Sequence, residues 1–116
     1  MKQIDTKEQY KLFVNTLNEC GEFLLHKKPQ DIEYLLFEEF DGDCVSFLSK
    51  ELLQSLLDSN MINKEIFDKS LTLAEKFRSL EGSEIWNTSA VISAPEWRDI
   101  FTLSDKIKNL IKIQDK

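Results

Sequence analysis

Residues 31–43 read Asp31-Ile32-Glu33-Tyr34-Leu35-Leu36-Phe37-Glu38-Glu39-Phe40-Asp41-Gly42-Asp43. Ile32, Leu35, Leu36 and Phe40 recur at three- and four-residue steps, which marks one face of an α-helix. Asp31, Glu33, Glu38, Glu39, Asp41 and Asp43 lie among them, and no Lys or Arg falls between Lys28 and Lys50. A helix here sinks its apolar stripe into a core and turns a concentrated negative face outward. Pro29 suits its first turn, and Asp31 and Glu33 sit where the helix dipole favours acids. Gly42 reads as the left-handed residue that ends the helix, with Asp41-Gly42-Asp43 as the turn. On that reading Glu38, Glu39 and Asp41 stand at the negative end, where the dipole opposes them. Acids that oppose the helix invite a functional reason.

The same periodicity extends in both directions. Upstream, Asp5-Thr6-Lys7-Glu8 fits a capping box. Tyr10, Phe13, Val14, Leu17, Leu24 and Leu25 then predict one helix reaching His26-Lys27-Lys28, whose cations suit its C-terminal end. Gly21 falls inside this pattern, where its missing side chain lets a neighbouring helix come close. Downstream, Leu48, Leu52, Leu53, Leu56 and Leu57 predict a helix over residues 45–59, ended by Asn60. Asn63 caps a helix from Lys64 to Leu80, closed by Gly82. Residues 84–94 have poor helical spacing; a lone strand has nothing to pair with, so a packed loop or short helix is expected. Ser93-Ala94-Pro95-Glu96 fits a second capping box before a last helix through Trp97, Ile100, Phe101, Ile107 and Ile111. Ser104-Asp105 could break that helix, and Asp115-Lys116 is expected to fray. The fold class is therefore all-α: a single-domain bundle of about five helices spanning 1–116.

The 116 residues carry 15 Lys plus Arg against 21 Asp plus Glu, a net charge of -6. Nucleic acid and anionic membranes attract basic surfaces, so neither is an expected partner; a basic protein is. An acidic balance also serves solubility alone, which is the plain alternative. Cys20 and Cys44 form no C-x-x-C pair, so two dispensable thiols in a reducing compartment are expected. The N-terminus has no apolar signal core and no run approaches a membrane span, which points to the cytoplasm.

No catalytic constellation emerges. Asp41-Gly42-Asp43 resembles the start of a calcium loop. However, Val45, Ser46 and Leu52 stand where an EF-hand needs an oxygen ligand, a glycine and a bidentate glutamate. His26, the single histidine, reads as a solvated helix-end residue. No metal site, cofactor or enzymatic activity is expected. Most of the phenylalanines fall at inward positions. Phe37 lies off the main stripe and beside the acids, so it either anchors a partner or widens the buried face.

The C-terminal third carries Trp86, Val91 and then Ser-Ala-Pro-Glu-Trp-Arg-Asp-Ile at Ser93–Ile100, followed by an amphipathic tail. This arrangement resembles small acidic bacterial immunity proteins of polymorphic toxins, including contact-dependent growth inhibition systems. The resemblance implies a cytoplasmic protein that binds and neutralises a cognate toxin, often a nuclease. Nuclease toxins are basic because they hold nucleic acid, and an acidic protein can cover that surface and steer the encounter. The expected partner-binding residues are Asp31, Glu33, Phe37, Glu38, Glu39, Asp41 and Asp43. A different class remains open: a helical adaptor or regulatory subunit of another protein.

Overall fold

The computed structural model describes residues 5–114. The expected fraying of Asp115 and Lys116 lies outside them. The described residues are mostly helical and contain no strand. Its elements are α1 (Thr6–Leu17), a 3-10 turn (Glu22–His26), α2 (Pro29–Ile32), a π-helix (Glu33–Phe40), α3 (Asp41–Phe47), α4 (Lys50–Asp58), α5 (Lys64–Ser79), α6 (Thr88–Ser93) and α7 (Pro95–Gln114). The all-α expectation holds. Among the described residues no helix is long and apolar enough to cross a membrane. α5 and α7 make the most extensive pairing; α4 packs on α5 and α1 on α7, and α3 packs on α1 and α4.

Local signals set several boundaries. Asp5 accepts the Glu8 amide at 2.8 Å, and Asn63 accepts that of Ile66 at 2.9 Å, each satisfying a free N-terminal donor. Asn60 takes a positive φ of 60° and closes the turn after α4, while Gly82 at φ 76° closes the one after α5. Residues 84–94 resolve into a loop and the short helix α6, capped by Asn87. The second capping box does not form as expected. Ser93 is the last residue of α6 and donates its hydroxyl to the Ser89 carbonyl.

Three boundaries differ from the sequence reading. The first helix stops at Leu17 rather than near Lys28. Its end docks on α7, where the buried Ser104 hydroxyl donates to the Cys20 carbonyl at 2.8 Å and lies 3.4 Å from that of Leu17. The following 3-10 turn has no side-chain cap of its own; Asp105 of α7 accepts the Glu22 amide at 3.1 Å instead. Gly21 permits this approach, since a Cβ there would collide with the Asp105 carboxylate and lie 2.8 Å from Lys108 Nζ. α7 itself runs unbroken through Ser104-Asp105, because those side chains bond across to the α1 end rather than to the backbone of their own helix.

The second correction concerns the opening stretch. The helix from Pro29 does not end at Gly42 but continues to Phe47, so residues 29–47 form one rod with a π-helical centre. Ile32, Leu36, Phe40, Cys44 and Leu48 are all buried, each four residues from the next. Four residues of α-helix rotate by about 400°, so a strict four-residue stripe drifts about 40° per step. A π-turn closes on i→i+5 and holds more residues per turn, which swings the stripe back. Alternating α and π segments keep all five side chains on one core. The third correction follows from the second. The long helix expected over 45–59 divides at Leu48, because Ser49 caps α4 by accepting the Leu52 amide at 3.2 Å.

Two buried serines give opposite expectations. Ser104→Ala strands carbonyls in the α1–α7 junction and should cost about 1–2 kcal/mol. Ser70 on α5 is fully buried and its hydroxyl has no hydrogen-bond partner. Ser70→Ala removes that unsatisfied group and should gain about 1 kcal/mol. Urea denaturation of the two variants checks both signs.

Candidate partner-binding face

The rod 29–47 places the predicted residues unequally. Asp31, Glu33 and Glu38 are exposed, while Glu39, Asp41 and Asp43 are half-buried. Glu38, Glu39, Asp41 and Asp43 do not stand at a helix end, because the rod continues to Phe47 and Asp41 and Asp43 open α3. Their opposition to a helix dipole therefore gives no reason for them. What remains is the concentration of charge. None of the ion pairs among the described residues involves these acids; the pairs formed are Lys64–Asp68, Lys69–Glu65 and Lys108–Asp105.

Phe37 belongs to the interior side of the rod. It is half-buried, its ring meeting Trp86 at 4.9 Å and Trp97 at 5.6 Å, edge to face. Those two rings also pack against Phe77, and Trp97 Nε1 donates to the Ile85 carbonyl at 2.7 Å. This aromatic cluster ties the rod to α5, α7 and the loop before α6. Phe37 thus widens the buried face.

The structure adds a residue that the sequence reading missed. Glu19, in the turn after α1, brings its carboxylate to those of Glu39 and Asp43, with oxygens all within 4.8 Å of one another. It gets there because α1 ends early and turns across α3. Oε1 of Glu19 is sealed from solvent and has no partner while the three groups are ionised, since a carboxylate cannot donate. A proton relieves this: protonated Glu19 can donate to Asp43. Burial first, then that hydrogen bond and the charges of Asp43 and Glu39, push the Glu19 carboxyl up to about 8. Three carboxylate oxygens at this spacing are also within reach of one hard cation. No signal in the local sequence marks Glu19, since only tertiary docking brings residue 19 to residues 39 and 43.

The aromatic ring left outside on this face is Tyr34, 53% exposed. The π-register puts Tyr34 and Glu39, five residues apart, on one side of the helix. The Glu39 carboxylate, as an acceptor and as a charge, raises the phenol above its ordinary range, with smaller contributions from desolvation, Glu38 and Glu19.

Other chemistry lies apart from this face. A cleft of about 260 Å³ between the start of α4 and α5 mixes Lys50, Glu75 and Arg78, and one of about 100 Å³ involves Lys76, Glu96 and Asp99. Neither includes a residue of the acidic group. Cys20 and Cys44 are free and buried; burial pushes the Cys20 thiol far up and that of Cys44 to about 11, so neither is poised as a nucleophile. His26 is exposed at the end of the 3-10 turn. Comparison of the chain with protein-family models, with curated proteins and with solved structures finds no match.

The raised Glu19 carboxyl makes stability depend on pH. The folded state holds a proton up to about 8 that the unfolded chain releases near 4.5. Its stabilising contribution is therefore complete below about 4.5 and is lost as pH rises through 8. Glu19→Gln carries a permanent neutral donor. Thermal melts should show it equal to the parent near the lower pH and more stable by a few degrees at the upper, the shift that about 1 kcal/mol produces in a domain near 100 residues. Replacing both cysteines with serine should cost stability through burial of polar groups. The double variant should nevertheless remain helical, as measured by circular dichroism.

Proposed function

We propose that the protein is a non-enzymatic inhibitor, an immunity protein that binds a basic toxin through the acidic face of the rod 29–47 and neutralises it in the cytoplasm. The observation that carries this reading is the group Asp31, Glu33, Glu38, Glu39, Asp41 and Asp43 on one rod, joined by Glu19, with no Lys or Arg between residues 28 and 50. The likeness of Ser93–Ile100 to the opening of a helix in toxin-immunity proteins supports the class. It does not specify which toxin is bound.

Charge of this density costs the fold something. Glu19, Glu39 and Asp43 face each other across two segments of the chain, and Glu19 ionises only against burial and two like charges. A basic partner would favour the ionised form, so binding would draw off the proton that Glu19 holds up to about pH 8. Exposed acids such as Asp31, Glu33 and Glu38 would act chiefly on the association rate, and salt would screen that effect. Half-buried Asp41 and Asp43 would act more on dissociation.

The alternative, a helical adaptor for another protein, uses the same surface without rescue from a toxic activity. The gene immediately upstream distinguishes the two. Co-expression with a toxin encoded there should restore growth, whereas an adaptor binds its partner and rescues nothing. Replacing Glu38 and Glu39 by Gln and Asp41 and Asp43 by Asn should abolish rescue. It should also weaken association by at least about tenfold at low salt and flatten its salt dependence, the scale on which charge steering operates. Unchanged affinity at both low and moderate salt would return the patch to a solvated surface.

A further inference from the structure

We infer that Tyr34 is the aromatic anchor of the acidic face, and that the group it receives is an arginine side chain of a basic protein segment laid across its ring. This rests on the acidic face being a docking surface and adds which residue anchors it and which chemistry it takes.

Three observations carry it. First, Phe37, the ring that the sequence singles out beside the acids, is spent on Trp86 and Trp97. Second, Tyr34 stands on the same π-helix with 53% of its surface exposed, larger than any other exposed ring among the described residues. Phe23, at 36%, lies on the 3-10 turn with Lys108 Nζ already 5.5 Å over its ring, so its face is taken by a cation of this chain. Third, Glu38 and Glu39 follow Tyr34 by four and five residues on the same π-helix, one turn away on the side of the ring. The ring is thus exposed and flanked by acidic residues.

That combination selects its ligand. A tyrosine face attracts a cation within about 6 Å of its centroid. Guanidinium is planar, weakly hydrated and able to lie flat on a ring while its N–H groups reach carboxylates at the edge. An ammonium is more strongly hydrated and presents no flat face, so it gains less from the ring. A purely apolar side chain would bury carboxylates without pairing them, which is unfavourable. An arginine satisfies ring and acids together. Tyr and Arg are also among the residue types that most often dominate binding.

The test uses hexa-arginine and hexa-lysine peptides as probes of the full chain at low salt. In the parent protein, the Tyr34 ring resonances should shift on titration with hexa-arginine. Tyr34→Ala should weaken hexa-arginine binding by about fivefold, the scale of a cation–ring contact at an exposed site. Tyr34→Phe keeps the ring and should stay within about twofold. The effect of Tyr34→Ala on hexa-lysine should be smaller. Both substitutions are at an exposed position, and thermal melts confirm that the variants fold. Tyr34→Ala binding hexa-arginine like the parent, while neutralisation of Glu38, Glu39, Asp41 and Asp43 weakens it, overturns the anchor and leaves the acidic face standing. Both variants binding like the parent overturns the face as well. An equal loss for Tyr34→Phe, or an equal dependence on Tyr34 for hexa-lysine, overturns the assignment of a guanidinium on the ring.

Discussion

The requirement on which this structure depends is that Ile32, Leu36, Phe40, Cys44 and Leu48, spaced by four, all face one core. A pure α-helix cannot hold such a stripe over this length, because its period of 3.6 carries the side chains steadily around the axis. The π-helix at Glu33–Phe40 supplies the opposite rotation. Once the stripe is held, the outer side of the rod is set by the same register. Tyr34 and Glu39 fall on one side five residues apart, and Glu39 and Asp43 follow four apart. A change of register intended to free the acids would pull Phe40 or Cys44 out of the core, at a cost of roughly 1–3 kcal/mol for a buried apolar side chain.

The α1–α7 junction completes the face from elsewhere in the chain. Ser104, Asp105 and Gly21 together end α1 at Leu17 and fold the next residues onto α7. Glu19 is carried in that turn and meets Glu39 and Asp43. A helix continuing to Lys28, as the apolar spacing suggested, would follow a straight path past residue 19. The polar contacts of α7 therefore determine which titratable groups meet beside the rod. This is a path from a buried serine hydroxyl, through a helix end, to an electrostatic property of the exterior.

Much of the fold was legible because periodicity and caps act locally. The Asp5 and Asn63 caps, the Asn60 and Gly82 turns and the apolar stripes of α5 and α7 need only a few neighbouring residues to be read. The rest needed distant partners. Gly42 looks like a helix end by its type, yet the rod passes through it, because Cys44 and Leu48 continue the stripe beyond it. That four-residue recurrence was in the sequence and was obscured by reading Gly42 as punctuation. Phe37 beside the acids was ambiguous on its own turn, and the partners that hold it, Trp86 and Trp97, lie far along the chain. The acids of the candidate face were found by composition alone, whereas Glu19 and the exposed ring of Tyr34 required the packed structure.

The two lines of argument for the acidic face differ in strength once the rod is seen whole. Opposition to a helix dipole fails, since Glu38, Glu39, Asp41 and Asp43 lie within a continuous helix. The burial of Glu19 beside Glu39 and Asp43 is the stronger effect. Dipole effects at exposed helix ends amount to about 0.3–1 kcal/mol and fade within one turn. Gathering three carboxylates within 4.8 Å, with one oxygen cut off from water, instead shifts an ionisation across the neutral range. A fold selected only for stability has simple remedies at these positions, such as a lysine in place of Glu38 or glutamine in place of Glu19. Neither would disturb the stripe beneath, because the core contacts are made by other residues. The acids are thus separable from the fold, and their cost is intelligible if an external cation group answers it.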